Sequence, residues 1–187
     1  LADVVVFRTT QDYGQWLARM NSLDGYVDQN IALMREGIRR GIVPPQVIMQ
    51  RVPGQIAKQI VQDPTLSLFY EVFRKMPDSI PAGDRERLQA EARTAIATKI
   101  VPAYQRLQEF VEQEYLPKSR STVGLWDTPR GSQRYAELAR FYTTTDLTPD
   151  QIHEIGLQEV ARIRAEMLQV IARTGFAGSA PVKAPLS

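Results

Sequence analysis

Leu23–Pro45 reads LDGYVDQNIALMREGIRRGIVPP, and the spacing of its apolar residues decides the fold class. Leu23, Val27, Ile31, Met34, Ile38 and Ile42 follow one another at steps of four, four, three, four and four. An α-helix turns once in about 3.6 residues, so these side chains fall on one stripe. Gly41 and the Pro44–Pro45 pair stop the pattern.

The same period recurs on both sides of this stretch. Thr9 or Thr10 can cap a shorter helix that carries Tyr13, Trp16, Leu17 and Met20. Beyond Pro45, Ile48, Val52, Ile56 and Ile60 step by four through Pro53. Proline lacks an N–H and clashes with the preceding turn, so a kink or break is expected there. Leu66–Met76, with Leu68, Phe69 and Phe73, is a short aromatic segment suited to plugging between longer helices. Leu88, Ala92, Ala95, Ile96 and Ile100 lead through Pro102 to Ala103, Leu107, Phe110, Val111 and Tyr115. Pro102 predicts a bend in one long helix, or two helices in series. Leu116–Pro117 ends this run, and Ser119–Arg130, with Gly124, Trp126 and Pro129, reads as an ordered loop. Gln133–Tyr142 is a further helix. Thr148-Pro149-Asp150-Gln151 then forms a capping box, and Ile152, Ile155, Val160, Ile163, Met167, Val170 and Ile171 make the face expected to be buried. Gly175 stops that helix.

No alternating strand of five residues is found, and Val4–Phe7 is a weak candidate at most. The expected class is all-α: an antiparallel helical bundle of about seven helices, the long ones kinked by proline. Residues 1–178 read as a single helical domain and 179–187 as a disordered tail. The chain starts at Leu1 rather than Met, so it reads as a piece of something longer. Leu1–Phe7 lacks the basic start and apolar run of a signal peptide, and no window spans a bilayer.

Composition narrows the chemistry. The chain has 187 residues, 43% hydrophobic and 24% charged, with a net charge of +2, so nucleic-acid binding through bulk charge is not indicated. It has no cysteine and one histidine, which excludes thiol nucleophiles, iron–sulfur sites and any metal site that needs two imidazoles. His153-Glu154 opens like the zinc motif His-Glu-x-x-His, but the residue one turn on is Leu157. Glu109, Glu112 and Glu114 read as a solvated helix face. Arg35, Arg39 and Arg40 crowd a helix end, where cations offset the dipole. No glycine-rich phosphate loop or nucleophile elbow occurs. Catalytic residues: none; metal ligands: none. The run Arg140-Phe141-Tyr142-Thr143-Thr144-Thr145-Asp146 reads first as turn chemistry, its hydroxyls bonding to nearby backbone. Exposed hydroxyls and a tyrosine on an ordered loop also suit polar recognition, so Arg140, Tyr142, Thr143 and Thr144 are the candidates for lining a substrate cleft.

Four stretches carry a family resemblance. Arg140–Met167 (RFYTTTDLTPDQIHEIGLQEVARIRAEM), Tyr26–Pro45, Val101–Pro117 and the Gly175-Phe176 ending resemble, in the same order, the bacterial family called domain of unknown function 885. The likeness spans most of Leu23–Ser179. It implies a helical parent of several hundred residues, similar to zinc metallopeptidases of the gluzincin type. In such a parent a His-Glu-x-x-x-Gly-His-like motif lies downstream, and many members are exported or lipid-anchored. No residue here matches that motif, so no ligand or catalytic base is carried over. Ala180–Ser187 does not look like the family's continuation, and independent activity is not expected.

The resemblance implies an N-terminal helical segment that forms a cleft wall or lid. Its partners would be the missing C-terminal domain and a peptide substrate, with zinc held elsewhere in the parent and no cofactor in this chain. An exposed apolar face would also allow pairing with a second copy. The bacterial envelope or periplasm is favoured over the cytoplasm. The alternative is a stand-alone helical interaction module without catalysis.

Overall fold

The computed structural model describes residues 6–175. It is all-α, with no strand among the described residues. The expected tail at 179–187, Phe176, and Val4 and Val5 of the weak strand candidate lie outside them. Within the span that the sequence suggests is one domain, the chain forms two compact units, Leu1–Pro129 and Arg130–Ser187.

The first unit is built on helix α1, Thr10–Arg39, 30 residues long. The two helices expected before Gly41 are thus one. No proline falls between Thr9 and Pro44, and the 3-4 spacing of Tyr13, Trp16, Leu17 and Met20 runs on into Val27 and Ile31 without a change of phase. Thr9 is the cap. Its hydroxyl accepts from the Asp12 amide at 3.3 Å, and the Asp12 carboxylate accepts from the Thr9 amide at 2.8 Å. At the other end Gly41 takes φ +68°, and the Ile42 amide donates to the Gly37 carbonyl at 2.9 Å. This closure needs a residue at positive φ, which glycine supplies at no steric cost. Ile42 lies past the closure and is exposed, so the stripe ends at Ile38.

Residues 46–57 break where Pro53 predicts. Helix α2 spans Gln46–Met49 and α3 spans Val52–Ala57, with Pro53 in the first turn of α3 where its missing N–H costs nothing. The break rotates the stripe: Met49 and Ile56 are buried, while Ile48 is exposed. The aromatic segment forms two 3-10 turns, Pro64–Leu66 and Leu68–Tyr70, then helix α4, Glu71–Arg74. Its plug is Tyr70 and Phe73; Leu68 faces solvent.

From Ala82 to Lys118 the backbone is helical throughout: α5 (Ala82–Ala95), α6 (Val101–Phe110) and α7 (Leu116–Lys118), joined by π-helical turns at Ile96–Ile100 and Val111–Tyr115. Each π turn lies just before a proline, Pro102 or Pro117. Shifting to i→i+5 bonding leaves a carbonyl without its i→i+4 donor, which is what a following proline ring requires. The run ends at Lys118, next to the expected Leu116–Pro117 stop.

The α5–α6 run packs along α1 in the same direction. Tyr13, Trp16, Leu17 and Met20 share a cluster with Leu88, Ala92, Ala95, Ile96 and Ile100, and Val27 and Ile31 share the next with Ala103, Phe110, Val111 and Tyr115. Antiparallel neighbours follow from short connections; this pair is joined by the long stretch 40–81, which carries the chain back before α5 begins. Ala92, Ala95 and Ala103 lie at the contact and are fully buried, so small side chains set the close approach. The Trp16 indole N–H donates to the Phe69 carbonyl at 3.1 Å, and Phe7 meets Trp16 edge-on, which closes the first cluster.

Arg120 orders the loop after α7. Its guanidinium donates to the carbonyls of Val43 (3.1 Å), Thr122 (2.8 Å) and Gly124 (2.7 Å), and its backbone bridges to Pro45. A Cβ on Gly124 would come within 2.2 Å of the Trp126 ring, so any larger residue there requires that exposed ring to move.

The second unit holds α8 (Gly131–Thr143) and α9 (Pro149–Arg173), joined by residues 144–148. The capping box forms as expected: the Thr148 hydroxyl accepts from the Gln151 amide at 3.2 Å, and the Gln151 side chain accepts from the Thr148 amide at 2.8 Å. The buried face does not form. Ile155, Val160, Ile163, Met167 and Val170 are exposed, Ile152 and Ile171 are half-buried, and no residue of α9 is buried. Within the second unit, α8 leaves most of that stripe uncovered.

Candidate functional site

Polar side chains gather in the first unit along α1 and α6, and around Arg74, Lys75, Arg85 and Glu86, and in the second unit at the end of α8. In the first unit, Asp28 and Arg35 on α1 face Arg106, Glu109, Phe110, Gln113 and Glu114 across a groove of about 400 Å³. Arg35 grips the Glu114 carboxylate with two bonds, 2.9 and 2.5 Å, and its guanidinium sits 5.1 Å from the centre of the Phe110 ring. Arg106 pairs with Asp28 at 3.1 Å, and Lys99 pairs with Asp24 at 3.0 Å one step earlier. These pairs explain the solvated acidic face only in part. Glu112 accepts from Gln108 and stays on the surface, whereas Glu114 reaches across to α1. Arg39 and Arg40 both turn back onto Glu36 at the helix end.

The electrostatics of these pairs speak against proton transfer. Glu114 is held below the usual carboxylate range by the hydrogen bonds from Arg35, and Arg35 is raised by the same contact. Lys99 and the Gly25 amide lower Asp24 in the same way. A general base works best with a pKa near the operating pH, and these carboxylates move away from it. Burial pushes the phenols of Tyr13, Tyr104 and Tyr115 up, which makes them poorer acids.

In the second unit the four cleft candidates lie at the end of α8. Thr143 donates to the Ala139 carbonyl at 2.8 Å, its hydroxyl meets that of Thr145 at 2.9 Å, and the Thr144 hydroxyl donates to the Thr143 carbonyl at 2.7 Å. Thr144 ends the helix at φ +56°, its amide donating to the Arg140 carbonyl at 2.9 Å. Arg140 stands 3.6 Å from Asp146. Tyr142 is 77% exposed, with its ring edge-on to that of Phe141. The threonine hydroxyls thus do the turn work: Thr143 donates to Ala139 and accepts from the Thr145 hydroxyl and amide, while the Thr144 hydroxyl spends its one hydrogen on the Thr143 carbonyl. The groove in the first unit escapes a reading of the sequence because its partners stand far apart in the chain, as Arg35 and Glu114 do.

Zinc is the metal that the family resemblance implies. A catalytic zinc takes three protein ligands, usually imidazoles or carboxylates. The chain has one histidine, His153, exposed on α9, and no group of three or more His, Asp or Glu among the described residues could hold a metal ion. The residues present do not fit the site.

Comparison with known proteins adds a family and a fold. The model of a family described as bacterial protein of unknown function, DUF885, matches residues 1–184. The crystal structure of a candidate lipoprotein from Colwellia psychrerythraea is similar at 25% identity and a TM-score of 0.79. That match covers 93% of this chain but 30% of the other, so the chain spans under a third of that relative's length. No curated protein matches the chain.

Proposed function

The chain belongs to the bacterial family DUF885, and from that premise we propose that it is the N-terminal helical part of a larger, metallopeptidase-like envelope protein. In this reading it builds a wall or lid of a substrate cleft, and the metal chemistry is supplied by sequence elsewhere in the parent. The observation that carries the reading is the lipoprotein relative, in which a fold like this one accounts for 30% of a much longer chain. The envelope assignment draws on that relative's description. No helix among the described residues is long and apolar enough to cross a membrane.

A lid that closes over an extended peptide excludes water and holds the backbone in register. Arg140 offers a guanidinium to a peptide carbonyl or terminal carboxylate. Thr144 offers hydroxyl lone pairs to peptide N–H groups, Thr143 holds the turn that presents them, and Tyr142 offers an exposed ring and phenol. None of these residues touches reacting atoms in this scheme; they position the substrate.

The coding sequence around this segment tests the proposal. A downstream His-Glu-x-x-x-Gly-His supports it, and a stop codon soon after Ser187 overturns it. A solution prediction follows from the ligand count: zinc leaves the melting temperature of the 187-residue chain unchanged and confers no peptidase activity. A rise of several degrees would mean that the chain binds the ion in its folded state, against the proposal.

A further inference from the structure

Helix α9 carries an apolar stripe that its own unit leaves uncovered. Ile152, Val160, Ile163, Met167 and Val170 follow helical spacing, with Gly156 filling the gap in the register. The stripe runs for roughly 27 Å at 1.5 Å per residue. Val160 is 62% exposed and Met167 58%. One flank of the stripe is charged and paired within the helix: Arg162 bonds Glu159 and Glu166, both at 2.7 Å. A helix with one ionic face and one long apolar face is built for a partner on the apolar side. Most of a helix's stability comes from such packing, which α9 lacks here.

We propose that this stripe is the docking face for the remainder of the parent polypeptide, a helical surface with apolar side chains of its own. The inference rests on the reading above only for the existence of that remainder. One observation chooses this occupant over a second copy. In the lipoprotein relative a fold like this one is joined to more than twice its own length of further chain, which is available at very high effective concentration.

The experiment compares the complete gene product with the 187-residue chain. Ile163→Glu with Met167→Glu is expected to lower the melting temperature of the complete protein by more than about 5 °C and to leave the short chain within about 1 °C. Gln169→Glu, on the polar face, should change neither. Amide exchange of the unmutated proteins covers the case in which the double variant fails to fold. The α9 amides should be at least 100-fold better protected in the complete protein than in the short chain at low concentration. Equal protection, or protection that appears in the short chain only as it dimerises and does not increase in the complete protein, overturns the proposal. A longer gene product whose α9 stays unprotected would remove this docking face and leave the functional reading standing.

Discussion

Thr144 and Arg130 are the described residues of the second unit, other than glycine, at positive φ, and Thr144 is the β-branched one. It sits at φ +56°, a conformation that a β-branched side chain adopts only when its surroundings impose it. The strain of such a residue is about 1–3 kcal/mol. Thr144→Gly should therefore stabilise the protein by about 1 kcal/mol after the entropy cost of glycine, read as a higher melting temperature, whereas Thr144→Val should not. If glycine is neutral or harmful, the hydroxyl's bond to the Thr143 carbonyl is worth more than the strain. Glu36 supports a second prediction. The guanidinium groups of Arg39, first, and Arg40 hold its carboxyl down at about 2, from an ordinary 4.5. A lowered folded pKa stabilises the fold above the unfolded value, and that contribution is lost as the pH falls from about 4.5 through 2. The carboxyl is exposed, so the effect is small and salt weakens it. A carbon-detected titration should place the Glu36 midpoint near 2; a midpoint at 4.5 would mean that the two arginines do not hold it in solution.

Elements depend on how closely α1 approaches the α5–α6 run. Ala103 is completely buried between them, with Phe110 and Ile31 in the same cluster. Ala103→Leu adds three carbons where no space exists. The expected cost is about 2–3 kcal/mol, measured by urea unfolding with an unchanged slope. Ala103→Gly, which removes one carbon and loosens the helix, should cost about 1 kcal/mol. A leucine that is tolerated would mean that the helices can separate at this point. Helical periodicity made these elements legible: the spacing of Val27, Ile31, Leu88 and Phe110 and the capping box at Thr148 could all be read before any fold was known. Two features could not. The fusion of two expected helices into α1 depends on the absence of a breaker, which is a weaker signal than the presence of one. The π turns before Pro102 and Pro117 arise because packing on α1 keeps the helix running through prolines that would otherwise end or bend it. The groove between Arg35 and Glu114 was hidden for a related reason. Its pairs form only once the two long helices run side by side in the same direction.

At the scale of the whole molecule, burial is uneven. Among the described residues, every large side chain that is buried belongs to the first unit, between Tyr13 and Tyr115. The amphipathic pattern of α9 could be read in the sequence, but periodicity reports that a face is apolar and says nothing of what covers it. The same pattern on α1 is filled by α5 and α6. This difference predicts two regimes of amide exchange in the 187-residue chain. Amides around Met20, Ile31 and Ile96 should exchange only through global unfolding, because opening them exposes the core clusters. Amides of α9 should exchange through local fraying, faster by several orders of magnitude, since losing that helix exposes almost nothing that is now buried. The capping box and the Arg162 ion pairs slow the fraying at one end and in the middle, but solvent screens these exposed pairs and they do not close the gap. If α9 instead exchanges as slowly as α1 at concentrations where the chain is monomeric, its stripe is covered by this chain itself, and the face assigned to the remainder of the parent is already occupied.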